Sequence, residues 1–213
     1  MNDLNLKGLL VDFGGVLTTN VWRSFDHFCE VEGLDGGTLL ELFRGDGEAL
    51  ALLRGLERGA LSDGDFERDF GELLGVEPAA LIDRLFAGLE PEIRIIEAVK
   101  AARAAGIQTG LISNSWGTGI YERAPMEIFD ATVISGDVGL HKPEPAIYEL
   151  GAERLGLPPA ACLFVDDLRE NVTGAKAVGM TAILHREAEE TIAEMERLLG
   201  VDLASPPRRA SLR

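Results

Sequence analysis

Cysteine is nearly absent from this 213-residue chain: only Cys29 and Cys162 occur, far apart and in neither a CxxC nor a disulfide-framework spacing. That excludes a disulfide-stapled scaffold and leaves two buried thiols in a reducing compartment as the expectation. Positive charge is also scarce. Against 36 Asp+Glu stand 20 Lys+Arg, a formal net charge of -16. Nucleic acid and anionic membrane both require clustered Lys/Arg, so neither is expected as a partner. A small phosphorylated substrate is compatible, because one pocket can be positive on a negative protein. No run approaches the ~18 apolar residues of a membrane span. The start Met1-Asn2-Asp3 is polar and the run Leu9–Val11 is too short for a signal peptide, so a cytoplasmic protein is expected. There is no internal repeat and no low-complexity region, and nothing in the sequence sets an oligomeric state.

What is present is a globular composition, 46% apolar, with five short apolar runs bounded by glycine or polar residues. These are Leu9–Val11, Ile107–Ile112, Ala131–Ile134, Cys162–Val165 and Thr181–Leu184. Runs of this length read as buried strands. Between them the period changes to helical. Ile93, Ile96, Val99 and Ala102 share a face between Pro91 and Gly106, and further helices are expected over 145–155, 168–178 and 187–199. Strands alternating with helices imply parallel pairing with right-handed crossovers: an α/β fold, a doubly wound parallel sheet with a Rossmann-like core.

About 90 residues separate the first two strands, and they show helical periodicity only. Trp22, Phe25, Phe28 and Cys29 form one stripe; Leu50, Leu53 and Leu56 a second; Phe66, Phe70, Leu73 and Leu74 a third, with Ser62 as its N-cap. The segment reads as an inserted helical cap over 20–88, with the α/β core expected over 1–19 and 89–202. Trp22 and Trp116 are both candidates for the pocket wall, with packing inside the cap the first expectation for Trp22. The tail 203–213 is expected to be disordered. It contains Arg208-Arg209-Ala210-Ser211, the form of a basophilic kinase site and a short match common by chance.

Ligands of doubly wound sheets sit beyond the carboxyl ends of the strands. At those ends the sequence places Asp12, then Ser113-Asn114-Ser115, then Lys142, then Asp166-Asp167. Three carboxylates together repel one another unless a cation joins them. All-oxygen ligands without Cys or His suit Mg²⁺. A lysine and a hydroxyl beside such an ion can hold phosphate oxygens, so that a carboxylate can attack phosphorus.

In order and spacing these segments resemble the haloacid dehalogenase-like hydrolase superfamily, nearest to its phosphatase-type members with a helical cap after the first motif. Val11-Asp12-Phe13-Gly14-Gly15-Val16-Leu17-Thr18 is similar to motif one, Leu111-Ile112-Ser113-Asn114-Ser115 to motif two, His141-Lys142-Pro143-Glu144-Pro145 to motif three. Leu163-Phe164-Val165-Asp166-Asp167, followed by Asn171 and Gly174, is similar to motif four. The likeness spans residues 7–185. It implies Asp12 as nucleophile, Ser113 and Lys142 as further catalytic residues, and Ser113, Asn114 and Lys142 around the phosphate. It also implies Mg²⁺ held by Asp12, the carbonyl of Gly14 and Asp167, with Asp166 close by. The expected activity is Mg²⁺-dependent hydrolysis of a small phosphorylated metabolite.

One position departs from that pattern. Family phosphatases carry a second aspartate, an acid/base group, two residues after the nucleophile, and here Gly14 stands there. General acid/base help is typically worth ~10²–10⁴-fold. Its loss favours a leaving group more acidic than a primary alcohol, such as that of a sugar 1-phosphate or an acyl phosphate, and makes His141 a candidate substitute. Two alternatives remain open on sequence: a 2-haloacid dehalogenase, which also lacks that aspartate, and a catalytically weakened domain binding a phospholigand or a protein.

Overall fold

The computed structural model describes residues 5–117 and 119–203. Its centre is one parallel sheet of β1 (Gly8–Val11), β2 (Gln108–Ser113), β3 (Ala131–Ile134), β4 (Cys162–Asp166) and β5 (Thr181–Leu184), in the order β3-β2-β1-β4-β5. All five apolar runs are strands, displaced by no more than one residue at either end. The chain steps outward from β1 to β2 and β3, then returns to the other side of β1 for β4 and β5. The reversal opens a crevice beyond the carboxyl ends of β1 and β4, where ligands of such sheets bind.

The pleat sends alternate side chains to opposite faces. Leu9, Val11, Leu111, Leu163 and Val165 share one buried cluster with Ile95, Ile96 and Val99 of α6 (Ile93–Ala104) and Met195 of α10 (Ala188–Leu199). Leu10, Ile112, Val133 and Phe164 turn the other way, onto Ile147 and Tyr148 of α8 (Pro145–Arg154) and Ala175 of α9 (Arg169–Ala177). Burying each large aliphatic side chain contributes about 1.5–3 kcal/mol, which anchors the strand ends. Both cysteines are buried free thiols, and burial pushes the Cys162 thiol up to about 11.

Between β1 and α6 come only helices: α1 (Val21–Glu32), α2 (Thr38–Gly45), α3 (Gly47–Glu57), α4 (Asp63–Leu74) and α5 (Leu81–Leu85). Each of the three stripes forms a helix. The Ser62 hydroxyl accepts from the Asp65 N–H at 3.1 Å, and Asn20 caps α1 by accepting from the Trp22 N–H at 2.9 Å. Sequence periodicity did not disclose α2 and α5, of eight and five residues. Such short helices show barely one repeat of the helical period, and packing against α1, α3 and α4 holds them. The linkers that leave and re-enter the sheet run side by side. Thr19 N donates to Glu90 O and Glu92 N to Leu17 O, both at 2.8 Å, around an antiparallel bridge between Thr18 and Pro91.

A four-residue helix, α7 (Ser135–Val138), follows β3 and leads into the Lys142 loop. Among the described residues no helix is long and apolar enough to cross a membrane. The tail from 204 onward, with the Arg208–Ser211 sequence, lies outside the described residues.

Candidate active site

Asp12 is the first residue beyond β1, its N–H donating to Val165 O of β4 at 2.9 Å. Its Oδ1 accepts from the Phe13 N–H at 2.7 Å and meets Lys142 Nζ at 2.7 Å. Lys142, 1% exposed, lies between two carboxylates, with Asp166 Oδ2 at 2.8 Å. The loop that carries it is held at both sides. Lys142 N donates to Asn114 Oδ1 at 2.9 Å, and Asn114 Nδ2 donates back to Lys142 O at 3.2 Å. Helix α9 presses close on the far side, where a Cβ on Gly174 would stand 2.7 Å from Pro143 O. So Asn114 orients Lys142 as well as bordering the cavity.

The two neighbouring aspartates differ. Asp166 is fully buried and saturated. Its Oδ1 accepts from Leu168 N (2.8 Å) and Asn171 Nδ2 (3.0 Å), its Oδ2 from Lys142 Nζ and Asn171 Nδ2 (3.1 Å). Asp167 borders the cavity, makes no ion pair among the described residues, and lies against Gly15. A Cβ on Gly15, whose φ is +75°, would come within 2.4 Å of Asp167 Oδ2, so glycine is required there on two counts. Ser113, at the end of β2, accepts from Tyr121 Oη at 3.1 Å and donates to Asn114 O at 3.3 Å.

One oxygen each of Asp12, Asp166 and Asp167 lie within 4.8 Å of one another. Burial pushes the Asp12 carboxyl well above its ordinary range; Lys142 pulls it back, and Asp166 and Asp167 push it up again. Burial, reinforced by Asp166, raises Asp167 to about 6. Burial by itself would lower the Lys142 ammonium, but Asp12 and Asp166 outweigh it and hold it above its usual value. Three carboxylates facing one ammonium leave a deficit of positive charge. The donor set is all oxygen, so the residues fit a hard divalent cation such as Mg²⁺.

Above these groups lies a cavity of about 280 Å³. Asp12, Gly14, Ser113, Asn114, Lys142 and Asp167 border its floor, so six of the seven residues singled out in the sequence converge there, with Asp166 behind. Its roof is apolar. Trp116, after β2, packs edge-on or tilted against Phe25, Phe43 and Phe86, at centroid distances of 5.4, 5.6 and 5.4 Å. Trp22 is not inside the cap as expected: it is 39% exposed and forms part of the cavity wall, because its α1 position faces the gap between insert and sheet. Val21 covers Gly14; a Cβ there would meet Val21 Cγ2 at 2.9 Å.

Two polar groups escaped sequence reasoning. Tyr121, whose hydroxyl burial pushes up to about 12, backs Ser113 from a 3-10 turn with no motif of its own. Glu57, at the end of α3, brings the insert's carboxylate to the cavity. It contacts His141 Nε2 at 2.7 Å, and its carbonyl accepts from Ser135 Oγ. Next to it, Arg58 pairs with Glu144. This latch joins insert to core through residues more than 75 positions apart, which no local pattern could announce.

A profile of the haloacid dehalogenase-like hydrolases matches residues 6–179. The chain is 26% identical over 201 residues to the sesquiterpene phosphatase astK of Aspergillus oryzae, covering 91% of this chain and 97% of that protein. It is 27% identical over 214 residues to acyl-CoA dehydrogenase family member 10 of Mus musculus, covering 92% of this chain but only 19% of that much longer protein. Among solved structures it is similar to a HAD family enzyme of Bacteroides thetaiotaomicron in complex with magnesium and inorganic phosphate (TM-score 0.63, 22% identity, 85% of this chain and 94% of that one). It is also similar to a dehalogenase (TM-score 0.67, 19% identity, 92% and 98%).

Proposed function

The chain belongs to the haloacid dehalogenase-like hydrolases, and from that premise we propose that it is a Mg²⁺-dependent phosphatase with Asp12 as its nucleophile. The observation that carries this reading is the floor itself: Asp12 and Asp167 border the cavity with Lys142 and Ser113, and their carboxylates are short of positive charge. The relative named a phosphatase and the neighbour holding magnesium and phosphate agree with it.

Asp12 and Asp167 would hold the ion with the Gly14 carbonyl, while Asp166, saturated by Lys142, Asn171 and Leu168, positions the lysine. The ion would supply charge neutralisation between the Asp12 carboxylate and an incoming phosphate. Lys142 and Ser113 orient the phosphate oxygens, with Asn114 fixing the lysine. The Asp12 carboxylate forms an O–P bond as the bond from phosphorus to the leaving oxygen breaks. That oxygen departs with the electron pair and takes a proton from water. A water molecule then attacks phosphorus, releases inorganic phosphate and restores Asp12. No carboxylic acid stands at Gly14 to protonate the leaving oxygen, so an acidic leaving group is favoured. We assign residues 20–88 to a substrate-selecting cap and 1–19 with 89–202 to the catalytic core, in a cytoplasmic enzyme.

A panel of phosphate esters assayed with Mg²⁺ and with EDTA tests the reading. Turnover that requires Mg²⁺ and vanishes in Asp12→Asn is expected; Mg²⁺-independent turnover would contradict it. Gly14 also favours a second reading, 2-haloacid dehalogenation, in which the same carboxylate displaces halide. Chloride release from 2-chloropropionate with EDTA present would establish that one instead.

A further inference from the structure

The roof of the cavity says what kind of group leaves. Resting on the phosphatase reading, we propose that the substrate is the phosphomonoester of a small apolar phenol, an aryl phosphate, and not a sugar phosphate. The walls above Asp12 are Phe25, Phe43, Phe86 and Trp116, with Leu50 and Leu53 of α3 completing one side. The rings already contact one another in edge-on or tilted pairs. A further aromatic ring can join such a cluster with both buried area and ring geometry in its favour.

Among the residues that the insert contributes to the lining, Glu57 alone carries a charge, and its carboxylate is engaged by His141. The hydroxyls of a sugar placed under this roof would give up water and find few partners, which is costly for every buried hydroxyl. The polar groups bordering the cavity are concentrated on the floor, around Asp12, where a phosphate would be held. Apart from Glu57, the division is charge below and hydrocarbon above.

The volume adds a size limit. About 280 Å³ is at or below the lower end of the ~300–1,000 Å³ range of small-molecule pockets. A phosphate carrying a single ring suits it. Gly14 points the same way by a separate route. With Val21 lying over it and no acid beside the nucleophile, a phenol, both apolar and acidic, meets the demands of roof and floor together.

The test compares leaving groups of matched chemistry. 4-Ethylphenyl phosphate and phosphotyrosine share one phenol and differ in the charged ammonium and carboxylate at the far end. With Mg²⁺, kcat/KM should favour the ethylphenyl ester by at least about 100-fold, and glucose 1-phosphate should be no better than phosphotyrosine. Leu53→Gln, at a partly exposed helical position, should reduce the preference at least about tenfold, since one unpaired polar group then faces the ring. Equal rates on the two phenols, with acetyl phosphate still hydrolysed, would overturn the substrate class and leave the phosphatase standing. Absence of hydrolysis on every phosphate ester and on acetyl phosphate would instead overturn the phosphatase reading and the proposal with it. A binding measurement decides the pocket separately. 4-Ethylphenylphosphonate should bind at least about 30-fold more tightly than methylphosphonate, and equal affinities would contradict the apolar roof.

Discussion

The floor and the roof of the cavity are built on different principles. Each floor residue sits at or just beyond the end of a β-strand or on a loop tied to one, and backbone register fixes its place. Asp12 follows β1, Ser113 ends β2, Asp166 ends β4, and the two bonds between Asn114 and Lys142 lock the intervening loop. The roof comes from α1, α2, α3, the turn after α5 and Trp116, and is held by ring packing. Electrostatic groups must be placed to a fraction of an ångström to act on one atom, and a sheet edge provides that. A hydrophobic wall needs only shape, which packed helices provide and can vary.

Substitutions in the two regions should therefore differ in kind. The largest effect belongs to the floor. Asp12→Asn should lower kcat by at least about 10³-fold with little change in thermal unfolding; activity within a few-fold of wild type would rule Asp12 out as nucleophile. Lys142→Met should remove activity and also stability, by about 3–5 kcal/mol, because Asp12 and Asp166 would be left buried without their counter-charge. Urea unfolding measures it, and an unchanged midpoint would mean the pair of contacts contributes nothing.

Next in size is the metal. Asp167→Ala should raise the Mg²⁺ concentration for half-maximal rate at least about tenfold, whereas Glu190→Ala, far from the cavity, should not. The same carboxylate carries a pH signature. In metal-free protein Asp167 is raised to about 6, above its unfolded value, so its contribution to stability is present below about 4 and is lost as pH rises through about 6. The stability difference between wild type and Asp167→Asn in EDTA should change by about 2–3 kcal/mol across that window. Taking the difference removes His185, which burial holds below its usual value and which acts in the opposite sense. A flat difference would show that Asp167 is not in the environment described.

Comparable in size is a change at the boundary. Gly14→Asp alone has a neighbour in the way, so the double substitution Gly14→Asp with Val21→Ala is the informative one. It should raise the ratio of alkyl to aryl phosphate hydrolysis by about 10²-fold if it restores a proton donor. No change in that ratio would mean another group already supplies the proton, with His141 and Glu57 first to examine. Smallest is the latch: Glu57→Ala should cost about 1 kcal/mol through the loss of one hydrogen bond to His141, read by chemical unfolding.

The same division explains what could be read without a structure. Five strands were legible because each is a short buried run, and the floor residues because each lies at the end of such a run or in the loop before the next. The roof was half legible. The stripe Phe66, Phe70 marks α4 as amphipathic, but periodicity cannot say which apolar side chains face the protein's interior and which face a ligand. Trp22 shows the difficulty: its spacing matches Phe25 and Phe28, yet it opens onto the cavity. Tyr121 and Glu57 were invisible for another reason, since their partners Ser113 and His141 are met only through tertiary folding.

The proposed reaction turns on a bond between Asp12 and phosphorus. Rapid quenching of the Mg²⁺-loaded enzyme during turnover of an aryl phosphate, followed by borohydride reduction and peptide mass spectrometry, looks for that bond directly. A phosphorylated Asp12 side chain is expected, one that borohydride converts to homoserine at position 12 and that is absent without substrate. Steady turnover with Asp12 unmodified at every quench time, or the phosphoryl group found on another residue, would contradict it.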